Sequence, residues 1–81
     1  MNIDTIRSGQ VRPYADTVDA YQITGATRDE IIEHYQLNTE RERPGYRHDG
    51  SCNFPFGLES FWTLTETGEG FKLSITRPYC G

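Results

Sequence analysis

The most regular pattern along the chain lies in residues 60–76, SFWTLTETGEGFKLSIT. Phe71, Leu73 and Ile75 alternate with Lys72, Ser74 and Thr76, the two-residue period of a strand with one buried face. Trp62 and Leu64 alternate with Thr63 and Thr65 in the same way. Between the two runs, residues 66–70 carry Gly68 and Gly70, which suit the positive-φ positions of a three- to five-residue hairpin loop. A lone hairpin is marginal in water, so this one needs cover from elsewhere in the chain. Residues 16–24, DTVDAYQIT, predict a further strand, with Tyr21 and Ile23 on one face and Val18, Ala20 and Gln22 on the other.

Gly25 and Ala26 break that strand, and Thr27, Arg28, Asp29 and Glu30 follow as a Thr-x-x-Glu capping box. Asp29 and Glu30 also suit the positive end of the helix dipole. Ile31, Ile32 and Tyr35 form a narrow apolar stripe, so a helix is predicted over residues 28–37, ended by Asn38 in a left-handed conformation. Too short to hold alone, it has to lie on the sheet. Residues 1–14 fit an edge strand and a flexible arm equally well, because Ile3, Ile6 and Val11 are isolated and Gly9 and Pro13 interrupt them. Across residues 38–58 the patterning lapses: Pro44, Gly45, Gly50, Pro55 and Gly57 leave room for no long helix or central strand, so a long loop is expected, or one with a short strand near residues 46–48 or 52–54. A loop of that length in a compact domain is usually functional or disordered. Pro78 ends the last strand, since it cannot donate to a ladder. The expectation is a single small α+β domain over residues 1–81: an antiparallel sheet of three to four strands, one short capped helix packed on one face, and a C-terminal β-hairpin. The other face, with Thr63, Thr65, Lys72, Ser74 and Thr76, is expected to be wet.

Composition narrows what such a domain can bind. Its 81 residues allow one modest core, and a 35% hydrophobic share is low, although 12% aromatic residues partly compensate. Twelve acids against eight Lys and Arg give a net charge of −4, which argues against direct nucleic-acid binding and against an anionic membrane surface. Asp16, Asp19, Asp29, Glu30 and Glu33 fall within eighteen residues that hold Arg28 as their one Lys or Arg, so a basic partner suits them. The first ten residues, MNIDTIRSGQ, lack the apolar core of a signal peptide, and no run is long enough to span a bilayer. The expected location is therefore cytoplasmic, with Cys52 and Cys80 as reduced thiols.

Candidate chemistry concentrates in the long loop. His48 beside Asp49 and near Cys52 has the composition of an activated thiolate, but neighbours in a loop rarely converge on one atom, and Asp49 with Gly50 makes an ordinary turn. His34, His48, Cys52 and Cys80 are zinc-ligand types without a C-x-x-C or H-x-x-x-H pair. Asp29 and Glu30 have a capping explanation, and Gly68 and Gly70 lead into a strand rather than a helix N-terminus. No catalytic set, metal site or cofactor is expected, and no enzymatic activity. Arg41, Arg43 and Arg47 are balanced by Glu40, Glu42 and Asp49. Arginines flanked by Tyr46, Phe54 and Phe56 have the composition of an interface anchor, or of a clamp on a nucleotide-like ligand; Phe54, Phe56 and Leu58 also suit a core.

In size, acidity and the strand, capped-helix, hairpin order of residues 16–76, the chain resembles the small acidic proteins that phages and other mobile elements encode against host defences, anti-CRISPR proteins above all. No signature motif accompanies the resemblance, so it assigns no residue roles. It implies a stoichiometric inhibitor, without enzymatic activity, bound to a CRISPR–Cas or other defence complex in a bacterial host. Read this way, the chain is a protein–protein interaction module in which Tyr46, Arg47, His48, Phe54 and Phe56 anchor the partner. Asp16, Asp19, Asp29, Glu30 and Glu33 supply charge complementarity. The alternative is a protein that sequesters a small molecule or nucleotide signal through Arg47 and His48, with a homodimer placing the pocket between copies. An antitoxin or immunity protein is a close relative of the first reading.

Overall fold

The capping box forms as its spacing predicts. Thr27 sits in extended conformation, its hydroxyl accepts from the Glu30 amide at 3.2 Å, and the Glu30 carboxylate accepts from the Thr27 amide at 3.0 Å. Two of the orphan donors at the helix start are thereby satisfied, and α1 (Arg28–Tyr35) begins. The computed structural model describes residues 1–10, 16–45 and 59–78.

The helix ends earlier than residue 37, and Asn38 does not end it. Gln36 takes the left-handed conformation (φ 53°, ψ 48°). Its amide donates to the Glu33 carbonyl at 3.2 Å, and the Leu37 amide donates to that of Ile32 at 2.9 Å. Those paired bonds are a Schellman ending, formed here on a residue that tolerates positive φ less well than glycine or asparagine. Asn38 instead caps the next element, its side chain accepting from the Glu40 amide at 2.9 Å. A 3₁₀ turn, Thr39–Arg41, follows where the sequence shows only a loop.

Four strands make one antiparallel sheet: β1 (Asn2–Arg7), β2 (Thr17–Thr24), β3 (Phe61–Thr67) and β4 (Gly70–Arg77), in spatial order β1-β2-β4-β3. Residues 2–7 are thus an edge strand rather than a loose arm. The centre of the sheet is the pairing of β2 with β4, from Thr17 opposite Arg77 to Ile23 opposite Phe71. Alternation puts Tyr21 and Ile23, Trp62 and Leu64, and Phe71, Leu73 and Ile75 on one face. There Ile31 of α1 seals a core in which Ile23, Ile31 and Leu73 are wholly buried. Each such side chain contributes about 1.5–3 kcal/mol relative to exposure. Ile32, Tyr35 and Leu37 pack around that cluster. Together these features give a small α+β fold, a four-stranded antiparallel sheet with one helix and a 3₁₀ turn.

The second face departs from the expected wet surface. Thr65 and Lys72 are exposed, but Thr63 and Thr76 are buried together with Val18, Ala20 and Phe61. The end of the sheet where β2 and β3 begin and β4 finishes is therefore buried on both sides. Threonine tolerates this because its hydroxyl can be satisfied locally; that of Thr63 donates to the Arg43 carbonyl at 2.9 Å.

The hairpin is tighter than its sequence suggests. Thr67 pairs with Gly70, leaving Gly68 and Glu69 as a two-residue turn, and of the two glycines Gly70 alone has positive φ, at +148°. The reason for glycine at position 70 is a close approach: a β-carbon there would stand 2.2 Å from the Ile23 carbonyl oxygen, whereas one on Gly68 meets nothing within 4 Å. Gly70→Ala is expected to lower unfolding stability by about 2–4 kcal/mol, and Gly68→Ala to change it by less than about 1 kcal/mol. Urea unfolding followed by tryptophan fluorescence measures both.

Candidate functional site

The acids that cluster in sequence are separated by the fold. Asp16 is 2% exposed and cannot present its carboxylate to a partner. Asp19 is occupied: one oxygen accepts from the Ser8 hydroxyl and the Gly9 amide, both at 3.2 Å, and the other meets the Arg77 guanidinium at 3.1 Å. Its side chain ties together the residues just past β1, the start of β2 and the end of β4. Of these two positions, expected among the partner-binding acids, Asp16 lies in the interior and Asp19 is bonded at the strand ends.

Asp29, Glu30 and Glu33 remain, and all three are exposed on α1. No cation among the described residues pairs with Asp29 or Glu33. Arg28, the one Lys or Arg on α1, is directed elsewhere: it forms an ion pair with Glu42, and its guanidinium lies 5.7 Å from the centre of the Trp62 ring. Glu30 and Glu33 join Met1 and His34 around a shallow, open depression. The backbone N–H of Thr27, and next its hydroxyl, hold the Glu30 carboxyl below its ordinary value of 4.5, so it keeps its charge into mild acid. Behind this face the aromatic rings are ordered. Tyr35 stacks on Tyr21 at 5.5 Å, and His34 meets Tyr35 edge-on at 5.0 Å. Burial, and then Tyr21, push the Tyr35 hydroxyl above its ordinary 10.0.

A second set of residues fixes the segment that leads into the long loop. The Trp62 indole N–H donates to the Asn38 carbonyl at 2.7 Å, and the Arg43 amide donates to the Trp62 carbonyl at 2.8 Å. Glu42 makes a parallel bridge to Trp62, which continues the sheet past β3 for one residue. Two arginines of the charge-balanced cluster that precedes the predicted anchors are committed here. Arg43 donates to the Glu40 and Glu42 carbonyls at 3.0 and 2.8 Å, and Arg41 pairs with Glu59. Beside this seam Leu37, Phe61, Trp62 and Ile75 floor a depression of about 190 Å³, below the roughly 300–1,000 Å³ of small-molecule pockets.

Sequence reasoning missed the Arg28–Glu42–Trp62 arrangement, since no periodicity connects residues so far apart; Trp62 was legible only as a core position. The anchor candidates, Tyr46, Arg47, His48, Phe54 and Phe56, all lie outside the described residues, as do Asp49, Cys52 and Cys80. Among the described residues no group of three or more His, Cys, Asp or Glu is arranged to hold a metal ion. None of their helices is long and apolar enough to cross a membrane. No family model, curated protein or solved structure matches the chain.

Two outcomes follow from these contacts. The Glu30 carboxyl is held below its unfolded value, so the folded state binds fewer protons than the unfolded one. The stability this provides is present above the unfolded value and is lost as pH falls through the folded one. Melting temperature should therefore drop on acidification below 4.5, and Glu30→Gln, which can still cap, should flatten that slope; parallel slopes would refute it. Trp62→Phe removes the indole donor and part of the core, and should cost about 1.5–3 kcal/mol in chemical unfolding.

Proposed function

We propose that the chain is a non-enzymatic protein–protein interaction module, and that the outer face of α1 is its docking surface for a basic site on the partner. The observation that carries this reading is the exposure of Asp29, Glu30 and Glu33 together on one short helix, with Arg28 turned away into its ion pair with Glu42. Uncompensated carboxylates on a rigid, capped element raise the rate of encounter with a cationic surface and select against acidic ones. The net charge of −4 acts in the same sense at longer range.

The resemblance in size, acidity and element order supplies the partner class: a CRISPR–Cas or other bacterial defence complex, inhibited by stoichiometric binding in the host cytoplasm. A defence complex that has to track a polyanionic nucleic acid presents basic surfaces, and an acidic helix face is complementary to them. Shared chemistry of this kind also describes an antitoxin or immunity protein, and the target identified in the experiment below separates them.

Tagged protein incubated with bacterial lysate containing CRISPR machinery should retain a defence complex in stoichiometric amount, identified by mass spectrometry. A clean bait that remains folded overturns the reading. With the target in hand, Asp29→Lys combined with Glu33→Lys should slow association about tenfold at low salt, and the difference should shrink at high salt, while folding is unchanged. Equal association rates for the double variant and the parent would remove α1 from the interface.

A further inference from the structure

The two edges of the sheet are treated differently. At the β3 edge, Glu42 bridges Trp62 and the Arg43 amide takes the Trp62 carbonyl, so the backbone there is partly covered. At the other edge, β1 pairs with β2 on one side, and among the described residues nothing pairs with its outer side. All six residues of β1 are exposed. They include Ile3 at 37% and Ile6 at 54%, with Met1 beside them at 46%, which are the large apolar side chains the described surface leaves exposed. An open edge with apolar side chains is a template for another strand.

What fits that edge follows from a bulge. Thr5 is opposite Tyr21 and Arg7 is opposite Ala20, so Ile6 is an extra residue in β1. In a regular strand Asp4 and position 7 would point to opposite faces. The bulge shifts Arg7 onto the face of Asp4, which is opposite Gln22, and the two opposite charges then lie on one face, separated by a single Thr5 step. No side chain among the described residues forms an ion pair with either.

We infer that the β1 edge is a self-association surface whose occupant is β1 of a second copy of this chain. Two β1 strands run antiparallel about a two-fold axis normal to the sheet, with Thr5 opposite Thr5. Each Asp4 then faces the other copy's Arg7, and the pair occurs twice, as an isologous interface requires. Like charges at these positions would have blocked an identical partner; opposite charges select it. The two four-stranded sheets join into one, with Ile3 and Ile6 in the contact strip. Six residues a side make a small interface, so the dimer is a concentration-dependent one. This surface is separate from the α1 face and holds or fails without it.

Sedimentation of the full chain from about 1 µM to about 1 mM, the range in which so small an interface dissociates, tests it. The parent protein should pass from monomer to dimer. Asp4→Arg and Arg7→Asp, each at an exposed edge position, should each weaken the dimer by about tenfold or more, because both pairs become like-charged. An equimolar mixture of the two variants should associate more strongly than either alone, with far-UV circular dichroism confirming that both are folded. A parent that stays monomeric throughout overturns the inference and leaves the edge to another protein's strand. Single variants that dimerise like the parent overturn it too, as does a mixture no stronger than its components, since the contact then lies on another surface. Both substitutions leave Asp29 and Glu33 intact, so failure here is separable from failure of the α1 docking reading.

Discussion

One hydrogen bond, from the Trp62 indole to the Asn38 carbonyl, joins the parts of this fold that are far apart in sequence. Trp62 is buried in the core with Ile23, Ile31, Leu64 and Leu73. Its polar atom therefore needs a partner, and the chain just beyond the helix supplies it. Arg28 covers the ring from the first turn of α1 and reaches Glu42 on the far side of the same segment. The helix start, the 3₁₀ turn and the β3 edge are thus all positioned against one indole. The direction of Arg28 follows from that packing, and so does the bareness of the carboxylates beside it on α1.

Much of this architecture could be read from the residues, and the failures have specific causes. The capping box was legible because both of its bonds are made within four consecutive residues. The β2 and hairpin faces were legible because alternation needs no tertiary information. The helix end was misplaced because Gln36 takes a conformation that its identity disfavours, and the Schellman bonds that compensate are visible only in three dimensions. Thr63 and Thr76 looked like solvent positions because threonine suits either side of a sheet; they are buried along with Phe61 and Val18 on the same face. The short 3₁₀ turn depends on Asn38 and Trp62 together, a pairing that no local pattern encodes.

The candidate site was less legible than the fold. Five acids close in sequence suggested one patch, yet the structure gives them distinct tasks: Asp16 is interior, Asp19 clasps strand ends, Glu30 caps a helix, and Asp29 and Glu33 stand open. Charge counting cannot see this, because the worth of a carboxylate depends on what surrounds it. What survives as a surface is smaller than the sequence implied and more sharply located.

The order of the strands also governs how the protein comes to be folded. The two central strands, β2 and β4, come from opposite halves of the chain. The capped helix and the tight hairpin can form from neighbours, on a timescale of microseconds or less. The middle of the sheet cannot close until the last strand has been made and the long intervening segment has been looped back, a step whose entropic cost slows folding. Until then β2, paired with β1 on one side, would keep its other edge bare, and the speed with which β4 arrives would set how long that edge is open to pairing with the wrong strand.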